Sequence, residues 1–373
     1  MKVLILEGGA GNEFGGAEQS MFSFIQFLKK NNVSVYLAYE EAGDWLSHQE
    51  KNEIFIKKIE VNASSFTSQG VFNFLKESLK LKEFIKSNEI DILLTHTIHS
   101  FPYLFIVKIL TQIRFVIYFK WLYNKKSIGF INKISGSYAF DRIILIPSLK
   151  NYWKKNLNFY RNEIYELNDG INISTENHKL EKKGKEKNIL YLGRIYEGKG
   201  LHVLIEVLEK LKSPYNLIIC GKFVLENDHD DIEYHKKIHA LITKKKLTER
   251  VRFKGFISDV QKEILNSDLV IVPSVIFDAQ PRVILESLLC KKMVLASNIG
   301  GSTRMLSPFE NILTFKPSIN DLYHKILNLE SLKKEEANRI MEFLHNKCLK
   351  EYSDNLTNKK LLEHLKNEKS FID

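Results

Sequence analysis

Three cysteines are few for 373 residues, and Cys220, Cys290 and Cys348 show no CxxC or CxxH spacing. That scarcity excludes a disulfide framework and a cysteine-based zinc site, and it points to a reducing, cytoplasmic compartment. Long apolar runs are missing too. The most apolar stretch, Phe101 to Tyr123, is interrupted by Lys108, Arg114 and Lys120, which makes it a poor membrane span. The opening run MKVLILEGG meets a glycine loop after a few residues, so it reads as a first β-strand, too short for a signal-peptide core. No short-period repeat and no low-complexity tract occurs.

Acidic residues are nearly absent from one segment. Between Phe101 and Arg161 stand Lys108, Arg114, Lys120, Lys125, Lys126, Lys133, Arg142, Lys150, Lys154, Lys155 and Arg161 against Asp141 alone. The excess there equals the net charge of the whole chain, +10, so the remainder is close to neutral. A basic segment this concentrated suits an anionic partner, and the alternative is an ordinary solvated face. No RNP, KH, helix-turn-helix or zinc-finger pattern accompanies it, which argues against nucleic acid. The run FKWLYNKK, Phe119 to Lys126, mixes aromatic and cationic side chains in the manner of an anionic membrane interface.

What is present is a repeating alternation. With 44% apolar and 27% charged residues the chain is a globular one, long enough for two doubly wound domains. Val3–Leu6, Val33–Ala38, Ile90–Leu94, Arg114–Phe119 and Arg142–Ile146 are predicted strands, with helices such as Ala17–Lys30 and Val71–Ser87 between them. The pattern pauses over the polar stretch 173–187 and restarts at Ile189–Leu192, Leu217–Cys220, Val251–Phe253, Leu269–Val272 and Met293–Ala296. Strand-then-helix order implies parallel sheets built from βαβ units. The expectation is an α/β chain of two Rossmann-like domains, 1–172 and 188–351, with a linker 173–187 and a helix of about 352–373 packing back on the first domain.

Ligands of such sheets bind where strands end and helices begin. Three motifs lie at those places. The loop Leu6 to Ser20 carries glycines at 8, 9, 11, 15 and 16, whose backbone can come close to a ligand, although no GxGxxG spacing is present. The stretch Tyr191 to Glu206 places Arg194 and Lys199 in one strand-to-helix loop, where two cations can neutralise a diphosphate. The stretch Asp268 to Gly301 places Asp278 in a loop, Glu286 about one turn inside the next helix, and a Gly300-Gly301 turn after the following strand. A carboxylate at Glu286 can accept two hydrogen bonds from a vicinal diol such as ribose.

Taken together these motifs resemble those of the large retaining family of GT-B glycosyltransferases, family four, the group 1 type. The likeness rests on Gly15-Gly16-Ala17-Glu18, on Gly193-Arg194 with Lys199-Gly200, on Val251, Phe253 and Gly255, on Pro273-Ser274, on Asp278 with Glu286, and on Gly300-Gly301. It runs nearly the whole length and keeps the order of motifs. The resemblance implies a GT-B fold, in which the two domains face across a cleft. It implies a nucleotide-diphosphate sugar as donor and a saccharide or lipid-linked acceptor, with retention of configuration, in surface polysaccharide biosynthesis. By the same resemblance Arg194 and Lys199 clamp the diphosphate, Glu286 binds the ribose, Asp278 binds a hydroxyl of the sugar, and Gly15 and Gly16 approach the diphosphate from the other domain. The two cations and helix dipoles take the place of a metal, so neither metal nor cofactor is expected.

The sequence departs from that pattern in three places. Family members commonly carry a histidine after the strand that matches Arg114–Phe119, where this chain has Lys120-Trp121. His96 matches a second family histidine and is carried as a catalytic candidate. The first acid of the paired motif is Asp278 where Glu is usual, and Ser302-Thr303-Arg304 follows the glycine turn where an acid is usual. The missing histidine motivates an alternative reading, a non-catalytic GT-B subunit that binds a partner or a sugar nucleotide. A sugar-nucleotide epimerase would share the fold class but not these motifs.

Overall fold

The computed structural model describes residues 1–7, 16–39, 57–60, 70–96, 101–122, 140–156, 163–172, 186–211, 215–223 and 229–366. They form two compact units, one of Met1–Asn172 with Asp354–Asp373 and one of Ile173–Ser353.

The first unit holds strands β1 (Lys2–Glu7), β2 (Ser34–Tyr39), β3 (Lys57–Glu60), β4 (Ile92–Thr95), β5 (Arg114–Phe119), β6 (Arg142–Leu145) and β7 (Glu163–Glu166). All pair in parallel, in the order β3-β2-β1-β4-β5-β6-β7. Val3, Leu4, Ile5 and Leu6 are all buried, as are Phe115 to Phe119. Continuous apolar runs of this kind are what a parallel sheet covered on both faces requires. Helices α1 (Gly16–Lys30), α2 (Gly70–Asn88), α3 (Phe101–Thr111) and α4 (Lys150–Asn156) supply the cover. On α1 the buried set Met21, Phe24, Ile25 and Leu28 follows helical spacing, so one stripe faces the sheet.

The second unit repeats the plan with β8 (Lys187–Leu192), β9 (Tyr215–Cys220), β10 (Val251–Gly255), β11 (Leu269–Val272), β12 (Val294–Ser297) and β13 (Thr314–Phe315). Their order is β10-β9-β8-β11-β12-β13, again parallel. Around them lie α5 (Leu201–Lys210), α6 (His229–Lys244), α7 (Val260–Asn266), α8 (Arg282–Leu289), α9 (Ser302–Leu306), α10 (Glu310–Leu313), α11 (Ile319–Glu330) and α12 (Lys334–Glu351). In each sheet the chain starts at a central strand, winds to one edge, then crosses back and winds to the other. The reversal lies between β1 and β4 and between β8 and β11, and each leaves a crevice at the carboxyl edge.

The last helix, α13 (Asp354–Lys366), belongs to the first unit. Asp354 N–H donates to the Ile171 carbonyl at 3.0 Å, and Arg142 donates to the His364 carbonyl at 2.6 Å. Arg114 donates to the Leu365 carbonyl. Two guanidinium groups thus satisfy the carbonyls at the helix end, where cations are also favoured by the dipole.

These bonds revise the reading of the basic segment. Of its described members, Lys108 pairs with Asp141, Lys120 with Asp169 and Lys150 with Glu166, and Arg114 and Arg142 hold α13. Lys120 is buried and is therefore no part of a surface for an anionic partner. Lys125, Lys126, Lys133 and Arg161 lie outside the described residues, as do Gly15 and the loop before it.

His364 gives this unit an acid sensitivity. Burial, with Arg142 and Lys360 nearby, pushes its imidazole down to about 4. A folded value below the unfolded one of about 6.5 means that its stabilising share is complete above about pH 6.5 and lost as pH falls to about 4. The loss amounts to about 3 kcal/mol. Unfolding free energies between pH 7 and pH 4, measured for the wild type and for His364→Leu, should diverge by that amount; parallel curves would show that His364 is not the acid-sensitive group.

Candidate functional site

The candidate residues of the second unit converge on the carboxyl edge of its sheet. Strand β8 runs out into Gly193, whose φ of 139° is open to glycine, and its N–H donates to the Cys220 carbonyl at 3.0 Å. Arg194 follows. Its backbone carbonyl accepts the Tyr191 hydroxyl at 2.9 Å, while its side chain is exposed and makes no hydrogen bond or ion pair among the described residues. A short 3-10 turn, Glu197–Lys199, then leads through Gly200 into α5.

This loop is zipped to the loop after β11. Val275 N–H donates to the Gly198 carbonyl at 2.9 Å. Gly200 has φ 72°, and a side chain there would place its Cβ 1.9 Å from the Pro273 carbonyl oxygen. Only glycine lets the two backbones come this close. The apposition brings Lys199 Nζ to 2.7 Å from Asp278 Oδ2, both side chains about three-quarters buried. Asp278 Oδ1 accepts the Gln280 N–H at 3.3 Å, and its backbone carbonyl accepts the Gly301 N–H at 2.8 Å. The glycine turn packs against the same backbone: a Cβ on Gly300 or Gly301 would lie 2.0 Å from the carbonyl oxygen of Asp278 or Ala279. Gly300-Gly301 therefore has a structural reason to be glycine, with one of its amides already engaged.

Glu286 lies in the second turn of α8, half-buried, with Arg282 Nε 3.9 Å from its Oε1 one turn back. Burial raises its carboxyl above the ordinary value, against the lowering pull of Arg282. No side chain caps the first turn of α8, whose N-cap is Pro281. Lys199, Asp278, Gly300 and Gly301 are thus in one constellation, with Glu286 on the helix that leaves it.

The first-unit candidates are placed differently. Gly16 opens α1. His96 follows β4, is buried, and its Nδ1 lies 2.9 Å from the Tyr118 carbonyl. A carbonyl only accepts, so Nδ1 carries the proton, and burial with Lys120 nearby holds the ring well below its ordinary value and neutral. Beside it is Lys120, which the sequence places in a basic surface segment. Lys120 Nζ lies 3.0 Å from Asp169 Oδ1, bonds to the Ser20 hydroxyl, and stands 5.0 Å above the Tyr118 ring. The signal was weak, because Lys120 sits in a run of lysines and Asp169 in the turn-like Asn168-Asp169-Gly170. Also unforeseen is Gly221, where a Cβ would lie 1.9 Å from the Gly193 carbonyl oxygen, so glycines at the ends of β8 and β9 stack.

Among the described residues no three His, Cys, Asp or Glu side chains come together to hold a metal ion. An Asp-x-Asp sequence does occur at Asp228 to Asp230, whose side chains lie outside the described residues. No helix among the described residues is long and apolar enough to cross a membrane.

Residues 172–343 match the family model for glycosyl transferases group 1. The matched stretch takes in Arg194, Lys199, Asp278, Glu286 and the glycine turn. Among curated proteins, the lipopolysaccharide 1,2-N-acetylglucosaminetransferase of Salmonella typhimurium is 27% identical over 61% of this chain and 62% of its own length. Matches to curated relatives span 31–62% of those proteins' lengths. A glycosyltransferase from Rickettsia africae has the same fold over the whole of both chains, with a TM-score of 0.82 and 23% identity. HepE from Anabaena, in complex with UDP, superposes over 98% of this chain and 100% of its own with a TM-score of 0.81 and 18% identity. The chain has the two-domain α/β fold of GT-B glycosyltransferases.

Proposed function

We propose that the chain transfers a sugar from a nucleotide-diphosphate sugar to a saccharide or lipid-linked acceptor. In this reading transfer proceeds with retention and without a metal, at the inner face of the membrane, in surface polysaccharide biosynthesis. The observation that carries it is the Lys199–Asp278 pair at the carboxyl edge of the second unit's sheet, beside Arg194, which is exposed and makes no ion pair among the described residues. An ammonium has three N–H donors, so Lys199 can keep Asp278 and still present two to a diphosphate. Arg194 adds a planar fork suited to phosphate oxygens. As the glycosidic bond breaks, negative charge grows on the departing diphosphate, and both cations stabilise it. Asp278 keeps lone pairs for a sugar hydroxyl, and Glu286 can take the ribose diol.

The division of roles is testable in full-length protein. Glu286→Gln should lower affinity for the free nucleoside diphosphate and for the donor alike, by about 10- to 100-fold, the worth of hydrogen bonds to a charged group. Asp278→Asn should lower donor affinity and transfer by a similar factor and relax the choice of sugar, with a smaller effect on the free nucleotide. Titration of both ligands against both variants decides it. A loss of free-nucleotide affinity in Asp278→Asn but not in Glu286→Gln would reverse the assignment. Turnover that stops in EDTA would remove metal independence.

The alternative, a non-catalytic subunit, draws on Lys120. It stands where a histidine is usual and is tied into an internal ion pair. Such a subunit would bind the donor without releasing nucleoside diphosphate.

A further inference from the structure

Among the described residues of the first unit, Leu75, Leu79 and Ile109 are the most exposed large hydrophobics, at 47%, 48% and 60%. All three lie on one helix pair. Helix α2 joins β3 to β4 and α3 joins β4 to β5, so both crossovers step the same way across the sheet. Right-handed crossovers then put both helices on one face, running in the same direction. The Tyr103 hydroxyl donates to the Glu77 carbonyl at 3.1 Å and ties the two helices together. The inner sides carry Leu81 and Ile85 on α2 and Leu104 and Val107 on α3, all buried. On the outer side of α2, Leu75, Leu79, Lys82 and Lys86 fall within an arc of about 60° at helical spacing. Lys76 and Lys80 flank it and are exposed, while Lys80 lies 3.5 Å from Glu77.

We propose that this outer face of α2 and α3 docks on an anionic lipid bilayer. Aliphatic tips at Leu75, Leu79 and Ile109 enter the acyl boundary, while the lysines meet anionic headgroups. The charge pattern selects this occupant. Lys76, Lys80, Lys82 and Lys86 outnumber Glu77 and Glu83 on α2, so a second copy joined across a two-fold axis would bring two net-positive faces together. The proposal rests on the membrane-borne acceptor of the reading above only for its purpose. Its test involves no turnover, so failure of docking and failure of transfer are told apart.

The full-length protein is co-sedimented with vesicles of phosphatidylcholine alone and with vesicles that also contain phosphatidylglycerol. Binding is expected to the second only, and to weaken between about 0.1 M and 0.5 M salt. Lys82→Gln with Lys86→Gln should lower it about 25-fold, at about fivefold for each lysine. Leu79→Glu with Ile109→Glu should lower it at least about tenfold. Leu79, Lys86 and Ile109 are exposed and Lys82 is half-buried, and unchanged thermal unfolding confirms that the variants fold. Wild type indifferent to both vesicles, or variants that bind as the wild type does, would overturn the proposal. So would a concentration-dependent dimer that the glutamate pair makes monomeric while vesicle binding stays unchanged.

Discussion

Arg194→Ala and Lys199→Ala should each lower the rate of sugar transfer about 10²–10³-fold, the usual loss when one preorganised donor to a developing charge is removed. Neither change should unfold the protein. Arg194 is exposed and makes no bond among the described residues, so its removal leaves nothing behind unsatisfied. Lys199 does leave Asp278 without its partner, but that carboxylate keeps the Gln280 amide and some access to water. A partly exposed pair of this kind contributes about 1 kcal/mol or less. The signature is therefore a fall in kcat with an unfolding midpoint close to the wild type's. Near-normal turnover in the double variant would dismiss this loop as the diphosphate clamp. Lys199→Arg should rescue poorly, because the close fit of Gly198 and Gly200 to the facing loop leaves little room for a planar fork.

The second large effect concerns stability. Lys120 and Asp169 have side chains only 6% and 12% exposed. Removing one partner of a buried pair strands a charge in a poorly solvated place, at a cost of about 3–5 kcal/mol. Lys120→Met and Asp169→Asn should each lower the unfolding midpoint by roughly 10 °C for a unit of this size. The double variant should lose less than the sum of the two, since no charge is then left unpaired. Had Lys120 been part of a solvated basic face, the single change would stay within about 0.5 kcal/mol. Additive losses in the double variant would show that the two side chains act apart.

The contrast at Lys120 marks where the sequence was legible. Strands such as Arg114–Phe119 and Leu269–Val272 stood out because a parallel sheet covered on both faces needs uninterrupted apolar runs. Three of the four edge strands did not. Lys57–Glu60 is three-quarters charged and Glu163–Glu166 half charged, and Thr314–Phe315 is only two residues long. Their strand character comes from pairing with a neighbour rather than from composition. Of the site, the loop positions of Arg194, Lys199 and Asp278 could be read from glycines and strand ends. The ion pair between Lys199 and Asp278 could not, because it depends on two loops 79 residues apart in the chain meeting across Gly200. Charge misled in the basic segment. A run of lysines and arginines says nothing of which acid or helix end each will find, and Asp141, Glu166, Asp169 and the carbonyls of α13 engage five of them.

Under the proposed function the second unit holds a nucleotide-sugar donor through Arg194 and Lys199. Calorimetric titration of the full-length protein with a panel of nucleotide-diphosphate sugars tests it most directly. The account predicts one-to-one binding of at least one donor, competed by the matching nucleoside diphosphate and abolished in the Arg194→Ala, Lys199→Ala double variant. Failure of every donor to bind the wild type, or equal affinity in the folded double variant, would contradict it.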